Sequence, residues 1–177
     1  MQANQKRAEQ IIVEILRNAS GGLNKGQLYK SFWLAHLYYA KSNRGYLSDW
    51  PVVKMPNGPG IHHGDRLLDH LAREGRITVT IGDNGPFPEH LCRIANSSEV
   101  PELSREAIQA IQDAVAFASR KSSTELSKLS HEFSREWNEN ELGREFDMYA
   151  DLIPAEEIER TKHEVALAMQ KYEGLFE

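Results

Sequence analysis

Only one cysteine, Cys92, occurs in the 177 residues. No intrachain disulfide can form, and no Cys-x-x-Cys pair offers thiolates to zinc. A chain of this length can bury enough surface to fold without a covalent staple, which suits a reducing compartment. Long apolar runs are missing as well. The N-terminal "MQANQKRAEQ" is polar, and the "IIVEIL" behind it is interrupted by Glu14. Neither a secretory signal nor the ~20-residue apolar stretch of a membrane span is read from it, so a soluble cytoplasmic protein is expected. Also absent are a Gly-x-Ser-x-Gly elbow, a His-Glu-x-x-His pair, a Walker loop and a dinucleotide fingerprint, and with them the common hydrolase, metalloprotease and nucleotide-binding signatures. No internal repeat or low-complexity tract is found.

What is present is helical periodicity. Residues 5–18 place Ile11, Ile12, Ile15 and Leu16 on one stripe, closed by Ser20-Gly21-Gly22. Asn24 is the N-cap of a second helix, "KGQLYKSFWLAHLYYAKS", which is apolar around most of its circumference and is therefore expected at the hub of the core. Residues 43–56 lack a helical period, and "WPVVKM" reads as a short strand or extended connector. Gly58-Pro59 reads as a turn before a helix over about 60–74, carried by Ile61, Leu67, Leu68, Leu71 and Ala72 and closed by Gly75. Ile77, Val79 and Ile81 alternate with polar residues, Gly82-Asp83-Asn84-Gly85-Pro86 is turn chemistry, and Leu91–Ile94 is the return strand.

Beyond Pro101 the pattern is helical. Ser104 caps a helix to about 119 with Ile108, Ile111, Val115 and Ala118 inward. Ser122-x-x-Glu125 is a capping box opening a helix whose Leu126, Leu129, Phe133 and Trp137 form an apolar face. Residues 141–152 give no clear element. Pro154 followed by Glu156, Glu157 and Glu159 starts a last helix, in which Ile158, Val165 and Tyr172 recur every seven residues beside Met169 and Phe176. The fold expected is mainly α: a compact multi-helix domain with one β-hairpin, whose N-terminal half has the helix, helix, helix, hairpin order of a winged helix. The chain reads as a single domain over 1–177, divided into 1–98, a helical second half 99–153 and a C-terminal helix 154–177 that could act as an interaction element or a homodimer seam.

Charge is divided along the chain. Residues 1–45 hold seven Lys/Arg against two acids, whereas residues 101–177 hold nine against seventeen. A basic front and an acidic back admit partners of opposite charge. Metal chemistry is suggested by His62, His63 and His70 beside Asp65 and Asp69. His63 and His70, though, stand two helical turns apart, ~10 Å along the axis, too far for one ion. A metal-dependent enzyme using His62, His63 and Asp65 is thus a weak alternative, and no catalytic residue, metal or cofactor is assigned. DNA binding by a winged helix is a second alternative. Between residues 60 and 76, Arg66, Arg73 and Arg76 are balanced by Asp65, Asp69 and Glu74, which does not favour reading DNA.

Three stretches, in order, carry a family resemblance: "LNKGQLYKSFWLAHLYYAKSNRGYL", "VVKMPNGPGI" and "STELSKLSHEFSREW". Together they resemble the Panacea, or SocA-like, antitoxin domain family, formerly described as phage-associated GepA-like proteins, with this chain a divergent member over about residues 8–150. The resemblance implies a non-catalytic type II antitoxin that neutralises a toxin by direct contact, the toxin being encoded beside it and varying across the family. Tyr29, Trp33, Tyr39, Gly58, Pro59, Ser130, His131 and Trp137 match the family motifs; His62 and His63 join them as candidate partner-binding residues. In purely structural roles, Trp33, Tyr39 and Trp137 would pack in the core, His131 would be a buried histidine satisfied by a neighbouring loop, and Gly58-Pro59 would be a turn.

Overall fold

The computed structural model describes residues 2–82, 89–95 and 100–173. In chain order the elements are α1 (Gln2–Asn18), β1 (Leu23–Asn24), α2 (Lys25–Ser42), β2 (Val52–Met55), β3 (Gly58–Ile61), α3 (Gly64–Arg73), β4 (Ile77–Gly82), β5 (Glu89–Ile94), α4 (Arg105–Ala118), α5 (Ser123–Phe133), α6 (Arg135–Glu139) and α7 (Ala155–Glu173). Helix dominates, but two small antiparallel sheets make the fold mixed α/β rather than strictly all-α.

The helix boundaries follow their caps. Asn24 accepts the Gln27 amide at 2.8 Å while the Gln27 side chain accepts the Asn24 amide at 3.1 Å, a reciprocal capping box that satisfies two orphan donors of α2. Ser122 and Glu125 repeat the device at α5. At the end of α3 the Gly75 amide donates to the Ala72 carbonyl and the Arg76 amide to the Leu71 carbonyl. With φ of 68° at Gly75, this is a Schellman closure.

The three-stranded sheet has the order β1-β5-β4. The helix, helix, helix, hairpin order expected is interrupted by the β2–β3 pair between α2 and α3, and β1 joins the sheet through a close approach that requires glycine. A Cβ on Gly22 would lie 2.5 Å from the Cys92 carbonyl oxygen, inside van der Waals contact. In β4, Ile77 is buried and Val79 half-buried, whereas Ile81 is exposed. The Asp83–Pro86 part of the expected turn lies outside the described residues.

The second sheet was not expected in this form. "WPVVKM" does supply a strand, β2, but the Gly58-Pro59 "turn" is its partner strand: β3 pairs Val53 with Gly60 and Met55 with Gly58. The turn proper is Pro56-Asn57, and α3 begins at Gly64, not near residue 60. The unassigned 141–152 segment runs along the free edge of β2. Its Gly143 amide donates to the Lys54 carbonyl, the Lys54 amide to Arg144 and the Phe146 amide to Val52, which buries Phe146 and Met148.

α2 is the hub, with Leu28, Phe32 and Ala35 fully buried. It packs most extensively on α4, whose inward face is Ala107, Ala110, Ile111, Ala114, Val115 and Ala118. Four alanines let the two helices approach closely; Ile108 is only half-buried. The expected single face Leu126, Leu129, Phe133 and Trp137 is broken, because Ser134 ends α5 and caps α6. Phe133 is left 69% exposed, while Trp137 turns onto the core.

Candidate functional site

The β2–β3 hairpin is clamped between α2 and the α5–α6 corner, and the clamp is built from the motif residues. Gly58 has φ of 102°, a conformation that favours glycine. The space of its absent side chain is occupied: a Cβ there would lie 2.3 Å from Ser130 Oγ and 2.7 Å from Lys30 Cε. Ser130 is buried and donates to the Ser127 carbonyl at 2.8 Å, and Ser127 Oγ donates to the Asn57 carbonyl of the hairpin turn at 2.8 Å. From the other side Trp137 Nε1 donates to the Met55 carbonyl at 3.0 Å. Lys54 Nζ donates to the Asn140 carbonyl at 2.8 Å and stands 4.6 Å from the Trp137 ring centre, a cation–π contact.

His131 stacks on Trp137, ring centres 3.6 Å apart and planes 12° from parallel. Partial burial and then the charges of Lys30 and Lys54 hold its pKa below the ordinary histidine value, so a neutral imidazole stacks on the indole at neutral pH. The expected satisfying loop is not there: His131 Nε2 is buried without a hydrogen-bond partner. Stacking, rather than hydrogen bonding, fixes this ring.

Tyr29 works at the start of α3. Its hydroxyl donates to Asp65 Oδ1 at 3.3 Å, and Lys25 forms an ion pair with the same carboxylate. Burial, then the Asp65 charge, raise the phenol well above its ordinary pKa. Gly64 leaves room for the ring, since a Cβ there would lie 2.4 Å from the Tyr29 hydroxyl. Trp33 is buried in the core with Nε1 unpartnered. Tyr39 is half-buried against the core, and its carbonyl accepts the capping amide of Asn43. Pro59 is buried in β3.

The histidines do not assemble a metal set with Asp65. His62 and His63 rings lie 3.9 Å apart, Asp65 is committed to Lys25 and Tyr29, and the proximity of His62 lowers the His63 pKa. The backbone of His62 matters more than its ring, because its carbonyl accepts Trp50 Nε1 at 2.8 Å. Among the described residues, the three-carboxylate-or-imidazole group close enough to share an ion is instead Glu9, His70 and Glu74. His70 Nδ1 approaches Glu9 Oε1 at 2.9 Å and Nε2 approaches Glu74 Oε1 at 3.6 Å; the ring lies between α1 and the end of α3. Cys92 is buried and its thiol is pushed up to about 11 by burial, so little nucleophilic thiolate exists at neutral pH.

Beneath the hairpin turn lies a cavity of about 630 Å³. Lys30, Tyr29, Met55, Pro59, Asn24 and Ser123 contribute to its wall. Sequence reading passed over Lys30, Lys54, Met55 and Ser127. Lys30 did carry a signal: it is a lone lysine amid the apolar positions of a helix expected to be buried all round.

The family model described as antitoxin SocA-like, Panacea domain, matches residues 28–138. The chain belongs to this family. No curated protein and no solved structure matches it. Membership points to a role related to toxin–antitoxin systems. The matched span covers α2 through α6, so the Panacea region contains the hairpin clamp: Gly58 from the second motif meets Ser130 from the third beside Lys30 from the first. Tyr29, Trp33 and Tyr39 lie elsewhere on α2. They anchor the Panacea helix to α3 and the core and do not join the clamp.

Proposed function

We propose that this chain is a non-catalytic antitoxin that neutralises a cognate toxin by direct contact. The observation that carries the reading is the Panacea match over residues 28–138. Burial is consistent with it. Gly58, Pro59, Ser130, Tyr29 and Trp33 are buried, so the motif residues serve as scaffold, and the contact face is what they display: the exposed Pro56-Asn57 turn with half-exposed His131 and Trp137. The C-terminal helix α7, with Val165 and Met169 more than half exposed, is a second interaction element suited to a homodimer. The side chains of Ile158 and Tyr172, and all of Phe176, lie outside the described residues. No helix among the described residues is long and apolar enough to cross a membrane, and the site of action proposed is the cytoplasm.

Co-expression with the product of the adjacent reading frame tests the proposal. The neighbour should arrest growth alone, lose that effect with this chain, and co-purify with it. A neighbour that is harmless alone and does not bind would sink the reading. A second reading, DNA binding, is favoured by the basic residues 1–45. The exposed residues of α3 oppose it, because Arg66 and Arg73 are matched by Asp65 and Asp69. Retention on heparin or random DNA that falls with salt would revive it.

A further inference from the structure

The side chain of Lys30 is out of place by ordinary electrostatics. It is only 5% exposed, yet among the described residues its ammonium makes no hydrogen bond or ion pair. Burying an unpaired charge is costly, and the other two lysines nearby avoid that cost: Lys25 pairs with Asp65 and Lys54 donates to Asn140. Burial lowers the Lys30 pKa to about 8, which leaves the ammonium mostly protonated at neutral pH. Lys30 lines the cavity, its Nζ 3.1 Å from where a Cβ on Gly58 would stand.

The same cavity lies at two helix starts. Asn24, the N-cap of α2, accepts a hydrogen bond from Ser123 Oγ at the first turn of α5, and both residues line the wall. The first-turn amides of an α-helix lack intrahelical acceptors and carry the positive end of its dipole. The 18-residue α2 therefore adds its field to that of Lys30, whereas the start of α5 is already capped by the Glu125 carboxylate. A volume of about 630 Å³ exceeds what a bare oxyanion fills and lies in the range of small-molecule sites. Tyr29, Met55 and Pro59 offer an apolar seat beside the charge. Two nearby carboxylates oppose an anion: Glu89, at the rim, accepts from Asn24 Nδ2 at 2.8 Å, and Asp65 is bound to Lys25 and Tyr29 of the wall.

We propose that this cavity binds a phosphorylated small molecule, its phosphoryl group held by the Lys30 ammonium at the N-terminal end of α2 and its organic part lying against Tyr29, Met55 and Pro59. Such a ligand supplies the counter-charge that Lys30 lacks, in the geometry that helix N-termini offer to phosphate. The site goes beyond the antitoxin reading and does not depend on it.

Calorimetric titration of the full chain with inorganic phosphate and with adenosine 5′-monophosphate tests the proposal. Both probes are expected to bind, the nucleotide more tightly because it also fills the apolar seat. Lys30→Met should weaken both by about tenfold or more, and Glu89→Gln should tighten both by removing one repelling charge. Lys41→Met, at the far exposed end of α2, should change nothing. Lys30→Met removes an unpaired buried charge and is expected to fold; if it does not, the wild-type titrations and Glu89→Gln still decide. The proposal is overturned if wild type binds neither probe up to about 10 mM, or if Lys30→Met and Lys41→Met bind alike. Toxin capture is read in a separate assay, so either proposal can fail alone.

Discussion

Gly58 sits where neither its backbone nor its surroundings accept a side chain. With φ of 102° and Ser130 Oγ 2.3 Å from the would-be Cβ, Gly58→Ala must both strain the backbone and push the hairpin off α5. A loss of about 1–3 kcal/mol in unfolding free energy is expected from urea titration. His36 gives a pH dependence of definite sign. It is fully buried, with Nδ1 on the Phe32 carbonyl and Nε2 on Ser48 Oγ, and burial lowers its pKa from 6.5 to about 4. Between those values the unfolded chain binds the extra proton and the folded chain does not. Stability therefore falls as pH is lowered from 6.5 towards 4, by about 1.4 kcal/mol per unit from this group, and levels off below. Urea midpoints across pH 4–7 check the slope, which His36→Gln should reduce. The His62 and His63 rings hold nothing else in place among the described contacts. Replacing both by alanine should cost less than about 1 kcal/mol, so loss of partner binding in that variant would report the surface rather than the fold.

Among the elements, α5 is held by its caps, whereas the described side chains of α7 face solvent. Ser122→Ala removes both the acceptor for the Glu125 amide and the hydroxyl that donates to Glu125 at 2.7 Å, and is expected to cost about 1 kcal/mol. Because α5 carries Ser127 and Ser130, the same change should loosen the hairpin turn, measurable as faster amide exchange in β2 and β3. In α7 every side chain that is described is exposed. Truncation after Ile153 should accordingly leave the thermal midpoint of the remaining chain within a few degrees of the parent. If α7 is an interaction element, the truncated chain should at the same time fail in dimerisation or toxin capture. A large drop in the midpoint would instead mean that the helix is needed for the fold.

At the scale of the molecule, the hub helix sets the arrangement. α2 is central because an all-round apolar helix has to be covered on several sides, and α1, α4, α3, the hairpin and α5 are arranged around it. Phe32→Ala at that centre should cost about 3–5 kcal/mol, enough to threaten a fold of typical stability. The sequence by itself determined what depends on near neighbours. The Asn24 N-cap, the Ser122 capping box, the Gly75 closure and the β4–β5 strands were legible because caps, positive-φ glycines and alternation act within a few residues. The ordered motifs likewise identified the Panacea family. The meeting of Gly58, Ser130 and Lys30 was decided only by tertiary structure, as were the pairing of β1 with β5, the edge formed by residues 143–146 and the break between α5 and α6. Each depends on which faces of distant segments touch, and a glycine, a serine or a lysine carries no local sign of the group that will fill the space beside it.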